Sequence, residues 1–150
     1  MENLISNILE SERMKTGHAA LQRESFSLPQ QIESVVEEMQ ADNVIVNADV
    51  TMPPVIADET RLRILFRNLI GNAIAHNEDK MAPVNVEVSS NQEWVHVSVI
   101  DSGGGIAPEH IEKVTEPFYR TDASRTRATG GFGLGLHLAK LIAQAHGGSL

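Results

Sequence analysis

Cysteine is absent from this sequence of 150 residues. Without thiols the chain can have no disulfide framework, no thiolate metal site and no cysteine nucleophile, and we expect a cytoplasmic location. Long apolar runs are also missing. None approaches the roughly 20 residues of a membrane span, and the first residues, MENLISNILESERMK, lack the pattern of a signal peptide. We therefore expect no direct contact between this chain and a membrane.

Basic residues are few. Twelve Lys and Arg residues stand against twenty Asp and Glu residues, which gives a formal net charge of −8. We therefore expect no nucleic acid partner, because such a partner needs a broad electropositive surface. An anionic ligand would have to be held locally, by a few basic side chains, by backbone N–H groups or by a metal ion. This balance favours a small polyanion in a pocket.

The spacing of apolar residues predicts helices and strands within the size of one domain. Leu4, Ile5, Ile8 and Leu9 predict the end of a longer bundle or coiled-coil helix, through about Glu12. Ser27 with Pro29 and Asp58 each predict the start of a further helix, and a last helix is predicted at 134–145. Strands are predicted at 44–46 and 55–57. The segments 84–88 and 95–99 predict a hairpin in which each strand has one buried face. This order predicts the α+β class, as a two-layer sandwich with helices on one face of the sheet.

Two asparagines stand out on the predicted helix that Asp58 opens. Asn68 and Asn72 are four residues apart and therefore share a face. Asn72 lies beside the apolar stripe, between Leu69 and Ala73, so we expect it to face a partly buried space. Amide oxygens there could bind a hard cation such as Mg²⁺. The alternative is a pair of ordinary surface asparagines.

Glycine-rich segments follow the hairpin. Asp101-Ser102-Gly103-Gly104-Gly105 comes directly after a strand, where the carboxylate could accept a hydrogen bond from an exocyclic amine and the glycines let the backbone approach a ligand. A tight turn closed by the aspartate is the alternative. The second segment, 130–136, leads into the last helix, whose first N–H groups could bind an anion. A dinucleotide fold is not supported, because no strand precedes this segment.

Four motifs, NLIGNA, DSGGGI, EPFYR and GFGLGLHLAKLIAQAHGG, follow one another in this chain. Together and in this order they resemble the N box, the first glycine box, the F box and the second glycine box of the ATP-binding catalytic domain of sensor histidine kinases. That domain belongs to the superfamily of gyrase, Hsp90 and MutL. The resemblance covers about residues 24–150 and implies the Bergerat fold, with a mixed sheet. Residues 1–23 are similar to the end of the dimerisation and phosphoacceptor helix with its linker.

The resemblance also implies a role for single residues. Asn72 would be the main Mg²⁺ ligand with Asn68 assisting, Asp101 would recognise the adenine amino group, and Arg120 would reach the phosphates. The segment 121–130, with Arg125 and Arg127, would form a lid over ATP, although two solvated arginines are the alternative. The residues assigned to catalysis, nucleotide or metal are Asn68, Asn72, His76, Asp101, Gly103, Gly105, Ile106, Phe118, Arg120, Gly131, Gly133, Leu134, Gly135 and Leu136.

The same motifs favour phosphoryl transfer over hydrolysis. ATP-hydrolysing members of the superfamily carry a glutamate one turn before the metal-binding asparagine, and this chain has Asn68 there. We therefore expect a protein-histidine kinase that uses ATP and Mg²⁺, acting on a histidine of a separate dimerisation domain and passing the phosphoryl group to a response regulator. The parent protein would be a homodimeric inner-membrane sensor. A nucleotide-binding interaction module and an anti-sigma-type serine kinase are the alternatives.

The chain departs from the family pattern in three ways. Ala75 and His76 occupy the positions where many histidine kinases have Lys and Tyr, and Lys80 is too far along to replace the lysine. His76 would stack on the base or lie in solvent. None of the six histidines is followed by Glu or Asp, so the phosphoacceptor is expected elsewhere. The family continues past HGGSL with two strands and a Gly-Thr motif, so we expect the last strands of the sheet to be missing.

Overall fold

The computed structural model describes residues 2–16, 20–49, 51–79, 81–121 and 131–150, which form two compact units. The sheet unit comprises Gln22–Gly105, and the helical unit comprises Met1–Leu21 with Ile106–Leu150. The elements in chain order are α1 (Glu2–Lys15), β1 (Glu24–Phe26), α2 (Leu28–Glu38), β2 (Val44–Ala48), β3 (Val55–Ala57), α3 (Glu59–His76), β4 (Val84–Ser90), β5 (Val95–Ile100), α4 (Pro108–Ile111) and α5 (Gly135–Ala145).

The sheet unit contains a mixed three-stranded sheet in the order β2-β4-β5. β2 runs parallel to β4, with Val44 opposite Val84, whereas β5 runs antiparallel to β4, with Val99 opposite Val86. β1 and β3 form a separate antiparallel pair. Because parallel strands need a crossover between them, the chain leaves β2, forms β3 and α3, and returns as β4.

Two side-chain caps explain where α2 and α3 begin. The Ser27 hydroxyl accepts a hydrogen bond from the Gln30 N–H at 3.5 Å, and Pro29 lies in the first turn of α2. Asp58 caps α3 by accepting the Arg61 N–H at 3.0 Å, and its second oxygen accepts the Arg61 guanidinium at 2.7 Å. Both helix starts are therefore confirmed. Asp58 also accepts the Gln22 N–H at 3.0 Å, which ties the start of α3 to the chain before β1.

One face of the three-stranded sheet forms the core of the sheet unit. α3 packs on β4 and β5, and α2 packs on β2 and α3. On the opposite face Ile45 and Ile100 lie exposed. The predicted α+β class, with helices on one face of a mixed sheet, is therefore confirmed. The buried residues of this core include Ile32, Val35, Leu65, Phe66, Ile70, Ala73, Val84, Val86 and Val88.

The structure differs from the predicted elements in the outer strands and the short segments. β4 has one buried face as predicted, but in β5 Val95 is exposed and Val97 and Val99 are only half-buried. In the described part of the chain β5 pairs with β4 alone, so it lies at the edge of the sheet. β1 and α4 were not predicted, because Glu24–Phe26 and Pro108–Ile111 are short and mostly polar and lack the apolar run that indicated β3.

The helical unit is built on α5. Leu138, Ala139 and Ile142 of this helix are fully buried, and α5 packs against α1. On α1, Ser11 is buried, whereas Ile5 and Leu9 of the predicted apolar stripe are more than half exposed. Ile5 and Leu9 therefore do not lie on the face of α1 that packs against α5. Within the described ranges, no helix has the combination of length and hydropathy that crossing a membrane requires.

Candidate functional site

The two asparagines of α3 lie one turn apart, as predicted. The Asn68 side-chain N–H₂ donates to the Ile64 carbonyl at 3.0 Å, one turn back along the helix. This bond uses the donor side of the amide and leaves its oxygen as an acceptor. Asn68 is half-buried and Asn72 is exposed. The expectation that Asn72 faces a partly buried space was therefore wrong: the neighbouring Ala73 is buried, but Asn72 itself is exposed.

Amide oxygens on α3 fit a hard cation such as Mg²⁺, which prefers oxygen ligands and keeps several waters. Among the residues that the structure describes, no group of three or more His, Asp or Glu side chains is gathered for a metal ion. The asparagines would therefore share the ion with water and with an anionic ligand. This donor set suits Mg²⁺ that arrives with a nucleotide.

The segment after β5 forms a tight turn. One carboxylate oxygen of Asp101 accepts the Gly103 N–H at 2.8 Å, which is the turn weighed as the alternative interpretation of this aspartate. In the described residues no hydrogen bond is formed by the second oxygen, and the side chain is exposed. One carboxylate oxygen is thus engaged in the turn, and the other is left as an acceptor for a ligand.

The two glycines of this turn have different physical roles. A Cβ atom on Gly103 would lie 2.4 Å from the His76 carbonyl oxygen, so only glycine allows the turn to approach the end of α3 so closely. A Cβ atom on Gly105 would meet no atom within 4 Å, but its φ of +74° is one that other residues rarely adopt. Gly103 therefore permits a contact, and Gly105 permits a backbone conformation.

Asn77 is a residue that the sequence analysis missed. It follows α3 directly, is 3% exposed, and uses both ends of its side-chain amide. Its N–H₂ donates to the Ala82 carbonyl at 2.8 Å, and its oxygen accepts the Ser102 N–H at 2.9 Å. The sequence signal was a polar residue where the apolar period of α3 ends. His76 before it is half-buried, whereas Lys80 lies outside the described residues.

The second set of predicted site residues belongs to the helical unit. α5 begins at Gly135, and the residue before it, Leu134, is buried and gives the helix no side-chain cap. The first N–H groups of any α-helix have no partner within the helix, so those of Gly135 and Leu136 are suited to an anion. Gly131 is exposed, and a Cβ atom there would meet no atom within 4 Å.

Phe118 and Gly133 contact each other through their backbones in this unit. The Phe118 N–H donates to the Gly133 carbonyl at 2.9 Å, and both residues have a positive φ, +64° and +73°. A Cβ atom on Gly133 would lie 2.7 Å from the Tyr119 carbonyl oxygen. The F box segment and the second glycine segment are thus joined by a contact that requires glycine at position 133.

The other predicted site residues of the helical unit are exposed or half-buried. Ile106 and the Phe118 side chain are 51% and 63% exposed, and Arg120 is half-buried. The Tyr119 hydroxyl lies 2.6 Å from Nδ1 of His110, which holds the F box segment against α4. Arg125 and Arg127, with most of the predicted lid, lie outside the described residues.

Comparison with known proteins identifies the family. Residues 57–150 match the family described as "Histidine kinase-, DNA gyrase B-, and HSP90-like ATPase". The chain belongs to this family. The resemblance predicted from the four motifs is therefore confirmed, and so is ATP as the ligand of the domain. The match includes all the residues assigned to the site, since the first of them is Asn68.

Relatives of this histidine kinase-like ATPase domain include sensor kinases. The chain is 36% identical to sensor histidine kinase MtrB of Mycolicibacterium paratuberculosis, over 99% of its own length and 27% of that protein. It is 39% identical to sensor histidine kinase WalK of Bacillus subtilis, over 62% of its length and 15% of that protein. The chain thus spans about a quarter or less of these relatives.

Solved structures resemble the domain over most of its length. Full-length ShkA, crystallised in complex with AMPPNP, aligns with a TM-score of 0.82 and 26% identity, over 97% of this chain and 31% of that one. The mycobacterial sensor histidine kinase MprB aligns with a TM-score of 0.65 and 25% identity, over 83% of this chain and 80% of that one. The ATPase domain described here therefore shares its fold with the aligned parts of these proteins.

Proposed function

We propose that this chain is the ATP-binding catalytic domain of a two-component sensor histidine kinase. It binds ATP with Mg²⁺ and presents the γ-phosphoryl group to a histidine on a dimerisation domain, from which a response regulator then receives it. The full protein is a homodimeric inner-membrane sensor with this domain in the cytoplasm. Support comes from the family match, from the relatives named sensor histidine kinase, and from the residues of α3 and of the Asp101 turn.

Adenine recognition is assigned to Asp101. The turn that holds this carboxylate leaves one oxygen as an acceptor, which is the group that an exocyclic amine needs. The bond is charge-assisted, and such bonds are about twice as strong as neutral ones. His76 at the end of α3 lies next to this turn, through the contact of its carbonyl with Gly103, and is assigned to the face of the base.

Metal and phosphate binding are assigned to two further sets of residues. Asn72 and Asn68 hold Mg²⁺ through their amide oxygens, and the bound ion neutralises charge on the phosphates. In the helical unit the first N–H groups of α5 and the Arg120 guanidinium bind the phosphate oxygens. These groups position the nucleotide and balance its charge, and phosphoryl transfer depends mainly on these two effects.

The single observation that favours phosphoryl transfer over ATP hydrolysis is that position 68 holds an asparagine and not a glutamate. Water attack needs a base at this position, and an amide cannot accept the proton that water gives up. The amide is also tied to the helix backbone through the Ile64 carbonyl. The attacking group is therefore the imidazole nitrogen of the acceptor histidine. A nitrogen–phosphorus bond forms, the bond between the γ-phosphorus and the bridging oxygen breaks, and ADP leaves.

Calorimetric titration with Mg-ATP tests the binding assignments. We expect the parent chain to bind, Asn72→Ala to lose the Mg²⁺-dependent part of the affinity, and Asp101→Asn to lose adenine affinity. Asn47→Ala is the matched control, because Asn47 is an exposed asparagine on β2 that is assigned no ligand. Equal affinity for all four proteins would refute both assignments, and a folded parent chain that binds no nucleotide would refute the proposal.

Transfer is tested by adding a separately prepared dimerisation domain of a related sensor kinase together with radiolabelled ATP. We expect label on that domain, and we expect acid to release it, because phosphohistidine is acid-labile. Binding without any transfer would support a nucleotide-dependent interaction module instead. Acid-stable label would point to a serine kinase.

A further inference from the structure

The amide of Asn77 joins two segments that carry different parts of the proposed nucleotide site. The first segment is α3, with Asn68 and Asn72, whose last carbonyls hold the Asn77 backbone: the Asn77 N–H donates to the Ala73 carbonyl at 2.8 Å. The second is the turn after β5, with Asp101, whose next residue donates its N–H to the Asn77 side chain. The Asn77 side chain thus connects the end of α3, the proposed metal-binding helix, to the turn that carries Asp101.

The burial of Asn77 makes its hydrogen bonds important for stability. Asn77 is 3% exposed, and both ends of its amide are satisfied by backbone groups. The bond from Ser102 is partly buried, so its loss costs more than the loss of a fully exposed bond and leaves the backbone at Ser102 without its native partner. The Ser102 N–H, which lies next to Asp101 in the chain, would be the group left unpaired. A perturbation at Asn77 therefore reaches the turn directly.

A second contact links the same turn to the end of α3. Gly103 lies so close to the His76 carbonyl that a Cβ atom would be 2.4 Å from it. The turn therefore touches the last residue of α3 at Gly103 and the residue after it at Ser102. Two neighbouring residues of the turn thus contact two neighbouring residues at the end of the helix.

We propose that Asn77 is a positioning residue for nucleotide recognition: it sets the placement of the Asp101 carboxylate relative to Asn72. The proposal rests on the function proposed above. Asn77 touches neither the base nor the metal and acts through the Ser102 N–H. Its effect is felt in nucleotide affinity, because the carboxylate that accepts the adenine amine has to be held in place before the nucleotide arrives.

Three variants separate positioning from general stability. Asn77→Ala removes both side-chain bonds, whereas Asn77→Asp keeps the acceptor for Ser102 and loses only the donor to Ala82. Asn43→Ala is the matched control, because the Asn43 amide donates to the same Ala82 carbonyl, at 3.0 Å. Each variant is assayed by Mg-ADP titration, by thermal unfolding and by hydrogen exchange of single amides.

We expect Asn77→Ala to weaken Mg-ADP binding by about tenfold and to speed exchange of the Ser102 amide, while β4 amides stay protected. We expect Asn77→Asp to keep Ser102 protected and to bind within about threefold of the parent chain, even though its buried carboxylate lowers the unfolding temperature. Asn43→Ala should bind as the parent chain does. Affinity should therefore follow the bond to Ser102 and not the unfolding temperature.

The possible failures are distinguishable. A parent chain that is folded and does not bind Mg-ADP refutes the proposed function, and the role of Asn77 with it. A parent chain that binds, beside a folded Asn77→Ala variant that binds equally well, refutes only the role of Asn77. If Asn77→Ala does not fold, Asn77→Asp decides: rapid Ser102 exchange, or a tenfold loss of affinity in this variant, would overturn the proposal.

Discussion

Gly103 offers the most direct physical test of the turn that carries Asp101. Replacement of Gly103 with alanine adds one Cβ atom, which would lie 2.4 Å from the His76 carbonyl oxygen and 2.7 Å from the nearer oxygen of Asp101. Non-bonded heavy atoms normally lie about 3.5 Å apart or more. The Asp101 side chain can rotate, but the His76 carbonyl is part of the backbone at the end of α3. Either the turn or the helix end therefore has to move by roughly 1 Å.

The cost of this movement can be estimated. Adding a methyl group to a well-packed site usually destabilises a protein by about 1–3 kcal/mol. For a chain of this length, 1 kcal/mol corresponds to about 2–4 °C in unfolding temperature, so the expected decrease is roughly 2–12 °C. A displaced turn also carries Asp101 out of place, and we expect Mg-ADP affinity to fall together with stability.

Thermal unfolding and Mg-ADP titration of three glycine variants check this reasoning. Gly105→Ala meets no neighbour but keeps a left-handed backbone, so we expect a cost of about 1 kcal/mol. Gly131→Ala has neither problem and should lie within about 0.5 kcal/mol of the parent chain. If Gly103→Ala is as stable as Gly131→Ala and binds Mg-ADP as the parent chain does, the turn is not held against α3.

Two further predictions concern the sheet unit. Asp58→Ala should destabilise the protein by about 3 kcal/mol or more in urea unfolding, because it removes the cap of α3 and one partner of a buried ion pair with Arg61. Asp58→Asn keeps the cap and should cost less; equal losses would contradict this explanation. The Thr51 hydroxyl and N–H lower the pKa of Asp49 below its ordinary value of 3.8. The lowered pKa of Asp49 stabilises the folded state above the unfolded-state pKa, and this stabilisation is lost as the pH falls through the folded-state pKa. We therefore expect Thr51→Ala to raise the pKa of Asp49, as measured by NMR titration. The variant should lower stability at neutral pH but not in strong acid.

The sequence predicts α3 and its start well, because both depend on local patterns. Apolar residues from Leu62 to Ile74 repeat at steps of three and four, and Asp58 has the chemistry of a helix cap. The strands were found from equally local signals: β2 and β3 as short runs of valine, isoleucine and alanine, and β4 from valines at every second position. The family resemblance was equally accessible, since its motifs are contiguous in the chain.

Features that depend on distant contacts could not be predicted. The role of Asn77 depends on Ala82 and on Ser102, and the latter is 25 positions away in the chain. The need for glycine at position 103 depends on the carbonyl of His76, and no pattern near Gly103 announces it. The exposure of Asn72 was predicted wrongly for a related reason. Helical spacing shows which residues share a face of α3, but it does not show how far the sheet and α2 extend over that face.

The parallel pairing of β2 with β4 has a consequence for the order in which the sheet unit is built. Residues that pair across these strands, such as Val44 and Val84, are some forty positions apart, and the whole of α3 lies between them. A ribosome makes the chain from its N-terminus, so α3 is complete before the central strand of its sheet exists. Until β4 and β5 emerge, α3 can form its contact with α2 but not its contacts with these two strands. The helix that carries Asn68 and Asn72 therefore passes through a stage in which the part of its apolar face that packs on the sheet lacks its native partners, and such exposed apolar surface favours aggregation.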